Sequence, residues 1–322
     1  MITQFLVSDQ TNPYWNIAVE NYLVENADSI VLYLWKNHRT VVIGQNQNPY
    51  SEVNVDALEA DGGYLMRRKT GGGAVYHDDG NLNFSFVVPK RLYDLQRQFS
   101  VIQRAVESFG LHTELSGRND ILAEGRKFSG NAFSKGLHND LHHGTLLING
   151  DMSDLARYLK PKPAKLQKHG VSSVRSRVVN LAELNSDITA ESIAPRLRDA
   201  FFAEYSDCTE HSEFMDFTEI IHRPEVQKLY AEFASDEWLF GRWRNFTAQY
   251  TAQFDWGGVE LSLSVDQSKH CITDVQIATD ALDLGALEKA KKLLVGADTT
   301  KKPAVPDESC RPILEDLISL VY

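Results

Sequence analysis

Apolar positions recur at the helical period near the start of the chain. Trp15, Ala18, Val19, Tyr22 and Leu23 fall at i, i+3, i+4, i+7 and i+8 behind a capping Asn12 and a Pro13 suited to the first turn, which predicts a helix. Two extended runs follow, Ile30–Trp35 and Thr40–Ile43, separated by the polar turn Lys36-Asn37-His38-Arg39. Gly63–Met66, Gly73–Tyr76, Leu82–Val88 and Thr145–Ile148 also read as strands. A second helix is predicted from Ser100, with Gln103 completing a capping box, Val101, Ile102, Ala105, Val106 and Phe109 facing inward, and Gly110 ending it. A third is predicted over Ala190–Tyr205, with Ile193, Leu197, Phe201 and Tyr205 on one side. From about Phe246 the pattern restarts. Tyr250–Trp256 and Val259–Val265 flank Gly257-Gly258 as a hairpin, Cys271–Ile277 adds a strand, and helices follow over Leu284–Leu294 and from Arg311. Strands come in groups between widely spaced helices, so the fold class is α+β, with a large domain over 1–245 and a second, smaller α+β domain over 246–322.

The length of 322 residues suits two such domains. No run approaches the roughly 20 apolar residues of a membrane helix, so no membrane association is expected. The opening MITQFLVSDQTNP lacks a basic stretch and a small-residue cleavage site, and Cys208, Cys271 and Cys310 show no C-x-x-C spacing. A cytoplasmic protein without a disulfide framework or zinc site is expected. Acidic residues outnumber basic ones by 44 to 33, a net charge of −11, which argues against general nucleic-acid binding. The basic residues are unevenly placed: Arg157 to Arg177 holds seven Lys or Arg and no acidic residue, either a solvated face or a place where an anion docks.

The most informative segment is Arg67-Arg68-Lys69-Thr70-Gly71-Gly72-Gly73-Ala74-Val75-Tyr76-His77-Asp78. Consecutive glycines strip side chains from the backbone and let a ligand lie on main-chain N–H groups, and the cations upstream complement a phosphate or carboxylate. A flexible turn with solvated cations is the plainer alternative. No G-x-x-x-x-G-K-[ST] and no strand-to-helix G-x-G-x-x-G occurs. A second segment runs Ser116-Gly117-Arg118-Asn119-Asp120 and then Gly125-Arg126-Lys127-Phe128-Ser129-Gly130, with Lys127 on a Gly-flanked loop. Lys127 is either an ordinary surface lysine or a point charge for a transferring phosphoryl group or an activated carboxylate. The basic run ends in Gly170-Val171-Ser172-Ser173-Val174-Arg175-Ser176-Arg177, a composition suited to a loop closing over an anion. His138, His142 and His143, and the pair His77-Asp78, are weaker metal or base candidates, and no metal site is expected from them.

Taken in order, RRKTGGGAVYHD, GRND with RKFSGNAF, and KLQKHGVSSVRSRVVNL resemble the three signature segments of the lipoate–protein ligase family. NPYWNIAVE, VVIGQNQNP, HHGTLLIN and FDWGGVEL add to the resemblance, which spans most of the chain. It implies a mixed-sheet ligase catalytic domain of the biotin/lipoate ligase type with a C-terminal accessory domain. It implies an ATP-dependent enzyme that converts lipoate to lipoyl-AMP, releasing pyrophosphate from Mg²⁺·ATP. The lipoyl group then passes to a lysine of the lipoyl domains of 2-oxoacid dehydrogenase E2 subunits or of glycine-cleavage H protein. By the same resemblance Arg68, Gly73, Ala74, Val75, Tyr76 and Lys127 bind ATP. Lys127, Gly71, Gly72 and His77 meet lipoate, and Arg67, Asn119, Asp120, Arg175 and Arg177 lie nearby. Trp35, Val42, Tyr76 and Phe84 are candidate linings for the lipoyl tail. Transferases of the same fold that work through a cysteine thioester need a thiol near the site, and no cysteine precedes position 208. A non-catalytic lipoate-binding protein is the other alternative.

Overall fold

The apolar runs become strands, and the longest of them end up covered on both faces. The computed structural model describes residues 2–117, 119–160, 178–208, 210–212, 216–241, 248–266, 269–282, 284–306 and 310–322. Fourteen strands are labelled in chain order: β1 (Ile2–Val7), β2 (Ile30–Trp35), β3 (Thr40–Ile43), β4 (Tyr64–Arg67), β5 (Val75–His77), β6 (Asn81–Pro89), β7 (Thr113–Ser116), β8 (Asp120–Ala123), β9 (Arg126–Lys135), β10 (Asn139–Leu147), β11 (Glu210–Ser212), β12 (Ala248–Phe254), β13 (Gly257–Asp266) and β14 (Cys271–Thr279). The main sheet has the order β11-β1-β2-β6-β10-β9-β8-β7. β1 runs parallel to β2 and β11 while the remaining pairs are antiparallel, so the sheet is mixed. Strands β4-β3-β5 make a small second sheet.

Every residue of β6 from Asn81 to Val88 is buried, as expected of a central strand with elements on both faces. On one face Phe84, Phe86 and Val88 join Ile102, Val106, Leu197 and Phe201, brought by the helices Leu95–Glu107 and Ala190–Glu204. The helix Pro13–Asn26 packs against β2, β6 and β10. Asn12 caps it as expected, its side chain accepting the Tyr14 N–H. The helix is buried more widely than an amphipathic stripe requires, because Asn16 and Glu20 are enclosed with Ile17, Ala18 and Val19.

Three local expectations change. The second helix starts five residues before Ser100, because Asp94 accepts the N–H groups of Gln96 and Arg97 and so outcompetes the later capping box. Lys127 lies on β9, not on a loop; Glu124 and Gly125, both with positive φ, form the tight turn that sends β8 back as β9. The hairpin between β12 and β13 turns on Asp255-Trp256, since Phe254 pairs with Gly257, and the Gly258 N–H goes to Asp280 Oδ1.

By the density of its contacts the chain resolves into two compact units. One comprises Met1–Val42, Asn54–Met66 and Val75–Ser235; the other comprises Ile43–Val53, Arg67–Ala74 and Asp236–Tyr322. In the second unit the antiparallel sheet β12-β13-β14 turns Val259, Leu261, Leu263, Ile272 and Ile277 toward the helices Leu284–Leu294 and Arg311–Ser319. The glycine-rich segment expected to bind an anion therefore folds with the C-terminal residues. Among the described residues no helix is long and apolar enough to cross a membrane.

The capping assignment is checked directly. Asp94→Ala should lower the free energy of unfolding by about 1 kcal/mol, whereas Asp94→Asn should stay near the parent, because Asn caps as well as Asp. Equal urea midpoints for both variants would show that Asp94 does not set the start of the helix.

Candidate active site

In the first unit the chemistry gathers on the paired strands β8 and β9 of the main sheet. Lys127 Nζ lies 2.6 Å from Asp120 Oδ1, and both side chains are one-third exposed. A β-bulge between Ile121 and Leu122 shifts the register so that Lys127 pairs with Leu122 while Asp120 pairs with Gly130. The lysine side chain lies back along the strand over Gly130, whose missing Cβ would sit 3.2 Å from Nζ. The Lys127 carbonyl accepts the Val179 N–H, which fixes the strand at this point. Asn119 is tied to Asn131 by side-chain and main-chain hydrogen bonds of 2.9 to 3.0 Å.

Strand β5 carries the other candidates of this unit. Val75 is half-buried, and Tyr76 and His77 are buried. The Tyr76 hydroxyl donates to Asp154 Oδ2 at 3.1 Å, and burial, followed by the Asp154 charge, raises its pKa. His77 Nδ1 lies 3.2 Å from Asn37 Nδ2, which in turn is held by Asn16. Asp78 is occupied locally, accepting the N–H groups of Gly80 and Asp151. Of the residues suggested for the lipoyl tail, Phe84 is wholly enclosed in the core and Trp35 gives its indole N–H to Ser85.

In the second unit two arginines build the glycine loop in different ways. Arg67 was expected beside the ligand; instead its guanidinium is completely buried and donates to the carbonyls of Gly44, Gln45, Gln47, Trp238 and Leu239. Its charge holds together main-chain carbonyls from separate stretches of the unit. Arg68 donates to Thr70 Oγ1 and to the carbonyls of Gly71 and Gly73, curling the loop around its own side chain. Gly71 has no room for a side chain, because a Cβ would lie 2.3 Å from the Ala281 carbonyl oxygen. Gly72 has a φ of +95° and gives its N–H to the same carbonyl. Gly73 meets only Asp280 Cβ at 3.9 Å, so the fold itself does not demand a glycine there. Ala74 follows at the end of this segment. Arg175 and Arg177, with the rest of 161–177, lie outside the described residues.

The histidine alternatives resolve into structure. His142 is enclosed among Phe84, Phe86, Phe99 and Phe133, and His143 Nδ1 lies 2.8 Å from the buried Glu20 Oε1. Among the described residues no group of three His, Cys, Asp or Glu is placed to hold a metal ion. Asn131 and Glu20 were not singled out from the sequence, and His142 was read there only as a weak metal or base candidate. The signal was available: polar residues interrupt strands and a helix that are otherwise apolar, in the segments SGNAF, HHGTLLIN and NPYWNIAVE.

Comparisons with known proteins agree along most of the chain. Residues 12–202 match the lipoyl protein ligase A/B catalytic domain, and residues 244–303 match the bacterial lipoate protein ligase C-terminus. The chain is 41% identical over 300 residues to a lipoate-protein ligase A of Psychrobacter cryohalolentis, covering 91% of this chain and 88% of that one. It is similar to the lipoate complex of LipL1 from P. falciparum, with a TM-score of 0.83, 30% identity and 98% of each chain covered. A lipoate-protein ligase A bound with ATP superposes with a TM-score of 0.61 at 25% identity, covering 75% of this chain and 99% of that one. The α+β fold with a mixed sheet is thus the one expected.

The glycines separate by substitution. Gly71→Ala should destabilise the protein by about 1–3 kcal/mol, the usual cost of forcing an atom into filled space. Gly73→Ala should change stability by no more than about 0.5 kcal/mol, as at an open position. Thermal unfolding of both variants checks this, and equal midpoints would contradict the packing described.

Proposed function

The chain belongs to the lipoyl protein ligase A/B family, and on that premise we propose that it activates lipoate with ATP and transfers the lipoyl group to a protein lysine. A lipoate carboxylate oxygen attacks the α-phosphorus of ATP, the bond to the β-phosphate oxygen breaks, and pyrophosphate leaves. The acceptor lysine, as the free amine, then attacks the acyl carbon of lipoyl-AMP; a C–N bond forms, AMP departs with the electrons of the C–O bond, and the nitrogen's surplus proton is released to solvent.

The observation that carries this reading is the setting of Lys127. Two anions must approach within bonding distance, and a fixed ammonium offsets their repulsion without gaining or losing a proton. Lys127 offers such a charge, one-third exposed and oriented by Asp120. In this reading it touches both the nucleotide and the lipoate carboxylate. Arg68 and the backbone of Gly73, Ala74, Val75 and Tyr76 bind ATP, and Gly73 is left small for the ligand's sake. Gly71, Gly72 and His77 lie toward lipoate, Asn119 and Asp120 flank Lys127, and Arg67 acts by positioning the loop. Arg175 and Arg177, outside the described residues, suit the adenylate phosphate by their charge.

The donor set suits Mg²⁺ brought in on the triphosphate. Such an ion keeps much of its shell as phosphate oxygen and water and needs few protein ligands; Asp120, beside Lys127, offers it one carboxylate oxygen. When bound, it would screen the charge of the departing pyrophosphate. We assign catalysis to residues 1–245 and an accessory role to 246–322, with the reaction in the cytoplasm, where ATP is at hand. The acceptors we propose are lipoyl domains of 2-oxoacid dehydrogenase E2 subunits and glycine-cleavage H protein.

A thioester route is disfavoured by the thiols themselves. Cys208 is the cysteine nearest the ligase segments in sequence, and its pKa is raised, first by burial and then by Asp207, the reverse of what a nucleophile needs.

Pyrophosphate release with lipoate and ATP tests the reading, and Lys127→Ala should lower its rate on the order of 10²–10³-fold, as for one lost electrostatic donor. Release at the parent rate would remove Lys127 from the chemistry. A variant carrying Cys208→Ser, Cys271→Ser and Cys310→Ala should lipoylate an acceptor domain within a few-fold of the parent. Loss of transfer in that variant, with a covalent lipoyl adduct on the parent by intact mass, would point to a thioester instead.

A further inference from the structure

We infer that a buried amide–imidazole chain, Gln98–His142–Asn131, sets the position of the Asn119–Asp120 turn and through it the contact between Asp120 and Lys127. His142 and Asn131 are positioning residues for the activation step; the kinetic part of this inference rests on the function proposed above.

The chain begins deep in the core. Gln98, on the helix Leu95–Glu107, and His142, on β10, have no exposed surface, and Asn131, on β9, is 4% exposed. Four phenylalanine rings, Phe84, Phe86, Phe99 and Phe133, lie with their centroids 4.9 to 5.7 Å from the imidazole. A polar ring is tolerated in such surroundings only if its nitrogens are bonded. His142 Nε2 is 2.8 Å from Asn131 Oδ1, and Nδ1 is 2.9 Å from Gln98 Oε1, so both ring nitrogens face an amide oxygen.

The directions of these bonds follow from Asn131. Its Nδ2 donates to the Asn119 carbonyl at 3.0 Å, so its Oδ1 faces the imidazole and must accept. His142, kept neutral by burial, therefore carries its proton on Nε2 and accepts at Nδ1. The Gln98 amide must then be turned end for end, exchanging Oε1 for its NH₂ group at Nδ1, and that orientation also gives a partner to a nitrogen that otherwise has none. Every bond in the chain now has one donor and one acceptor, and it leaves Asn131 a single orientation.

Asn131 passes that orientation outward. It grips Asn119 three times, through its main-chain N–H, through Nδ2, and through its carbonyl, which accepts Asn119 Nδ2. Asp120 is the next residue, and its carboxylate meets Lys127 Nζ. Gly144 keeps space for the clamp, since a Cβ there would lie 2.6 Å from Asn131 Oδ1. Apolar residues in place of Gln98, His142 and Asn131 together would fill the same core at little cost, so stability does not require the polar chain, although removing His142 alone strands the two amides. What it supplies is a unique geometry at its exposed end.

The test compares His142→Phe, which keeps the aromatic packing and removes both bonds, with His142→Gln, whose Nε2–H can still reach Asn131. Trace acetic anhydride, with Lys127 acetylation followed by peptide mass spectrometry in the ligand-free protein, reads the Asp120 contact without any assumption about function. Lys127 should be labelled several-fold faster in His142→Phe and near the parent rate in His142→Gln. For pyrophosphate release, kcat should fall on the order of tenfold to a hundredfold in His142→Phe with the KM for lipoate little changed, the mark of misplaced rather than missing binding groups. His142→Gln should recover most of the loss. Unchanged Lys127 labelling in a folded His142→Phe protein would overturn the inference. If that variant does not fold, Asn119→Ala at the exposed end of the chain replaces it, and an unaltered labelling rate there would be equally contrary. A parent protein that released no pyrophosphate would defeat the proposed function while leaving the labelling contrast to decide the positioning role.

Discussion

A buried guanidinium has to be surrounded by oxygen, and at Arg67 the main chain supplies five such atoms. Five carbonyls converge on it, from Gly44, Gln45 and Gln47 and from Trp238 and Leu239. Segments far apart in sequence are thereby fixed at the end of β4, where the glycine-rich loop begins. Removing the charge would leave carbonyls without donors, so the loop's base is specified tightly. Above it Arg68 repeats the device on a smaller scale with Gly71 and Gly73. The glycines follow from this crowding: the carbonyl of Ala281 allows no side chain at 71 and accepts the N–H of Gly72.

The first unit handles charge differently. Lys127 and Asp120 stay partly exposed, and a polar chain running in from the core governs their meeting. An exposed ion pair is worth little to stability, so its position has to be imposed from elsewhere. The bulge in β8, the missing side chain at Gly130 over which Lys127 lies, and the triple grip of Asn131 on Asn119 impose it. The common theme is rigid placement of cations and donors, which is what an adenylation reaction requires of a protein that supplies no nucleophile of its own.

Much of this was legible in the residues. The helix at Pro13, the strands Ile30–Trp35 and Thr40–Ile43, and the helix Leu284–Leu294 form where periodicity and caps place them. The chemistry of the glycine segment and of Lys127 was visible as residue types. Competition between local signals was not: Asp94 and Ser100 are both capping residue types, and it is the Asp94 carboxylate that takes the N–H groups of Gln96 and Arg97. Nor can a sequence show whether an arginine faces ligand or carbonyl; adjacent Arg67 and Arg68 meet different sets of backbone carbonyls. Polar core residues are harder still. His142 reads as a metal or catalytic candidate until its partners on two other elements are seen.

The central claim is that this chain joins the lipoate carboxylate to the α-phosphorus of ATP. Lipoate labelled with ¹⁸O in its carboxylate tests it most directly, with unlabelled ATP and an acceptor domain, and mass analysis of the released AMP. The attacking oxygen stays on phosphorus when the lysine amine takes the acyl group, so AMP should carry one ¹⁸O per lipoyl group transferred. Unlabelled AMP alongside full lipoylation would contradict the account.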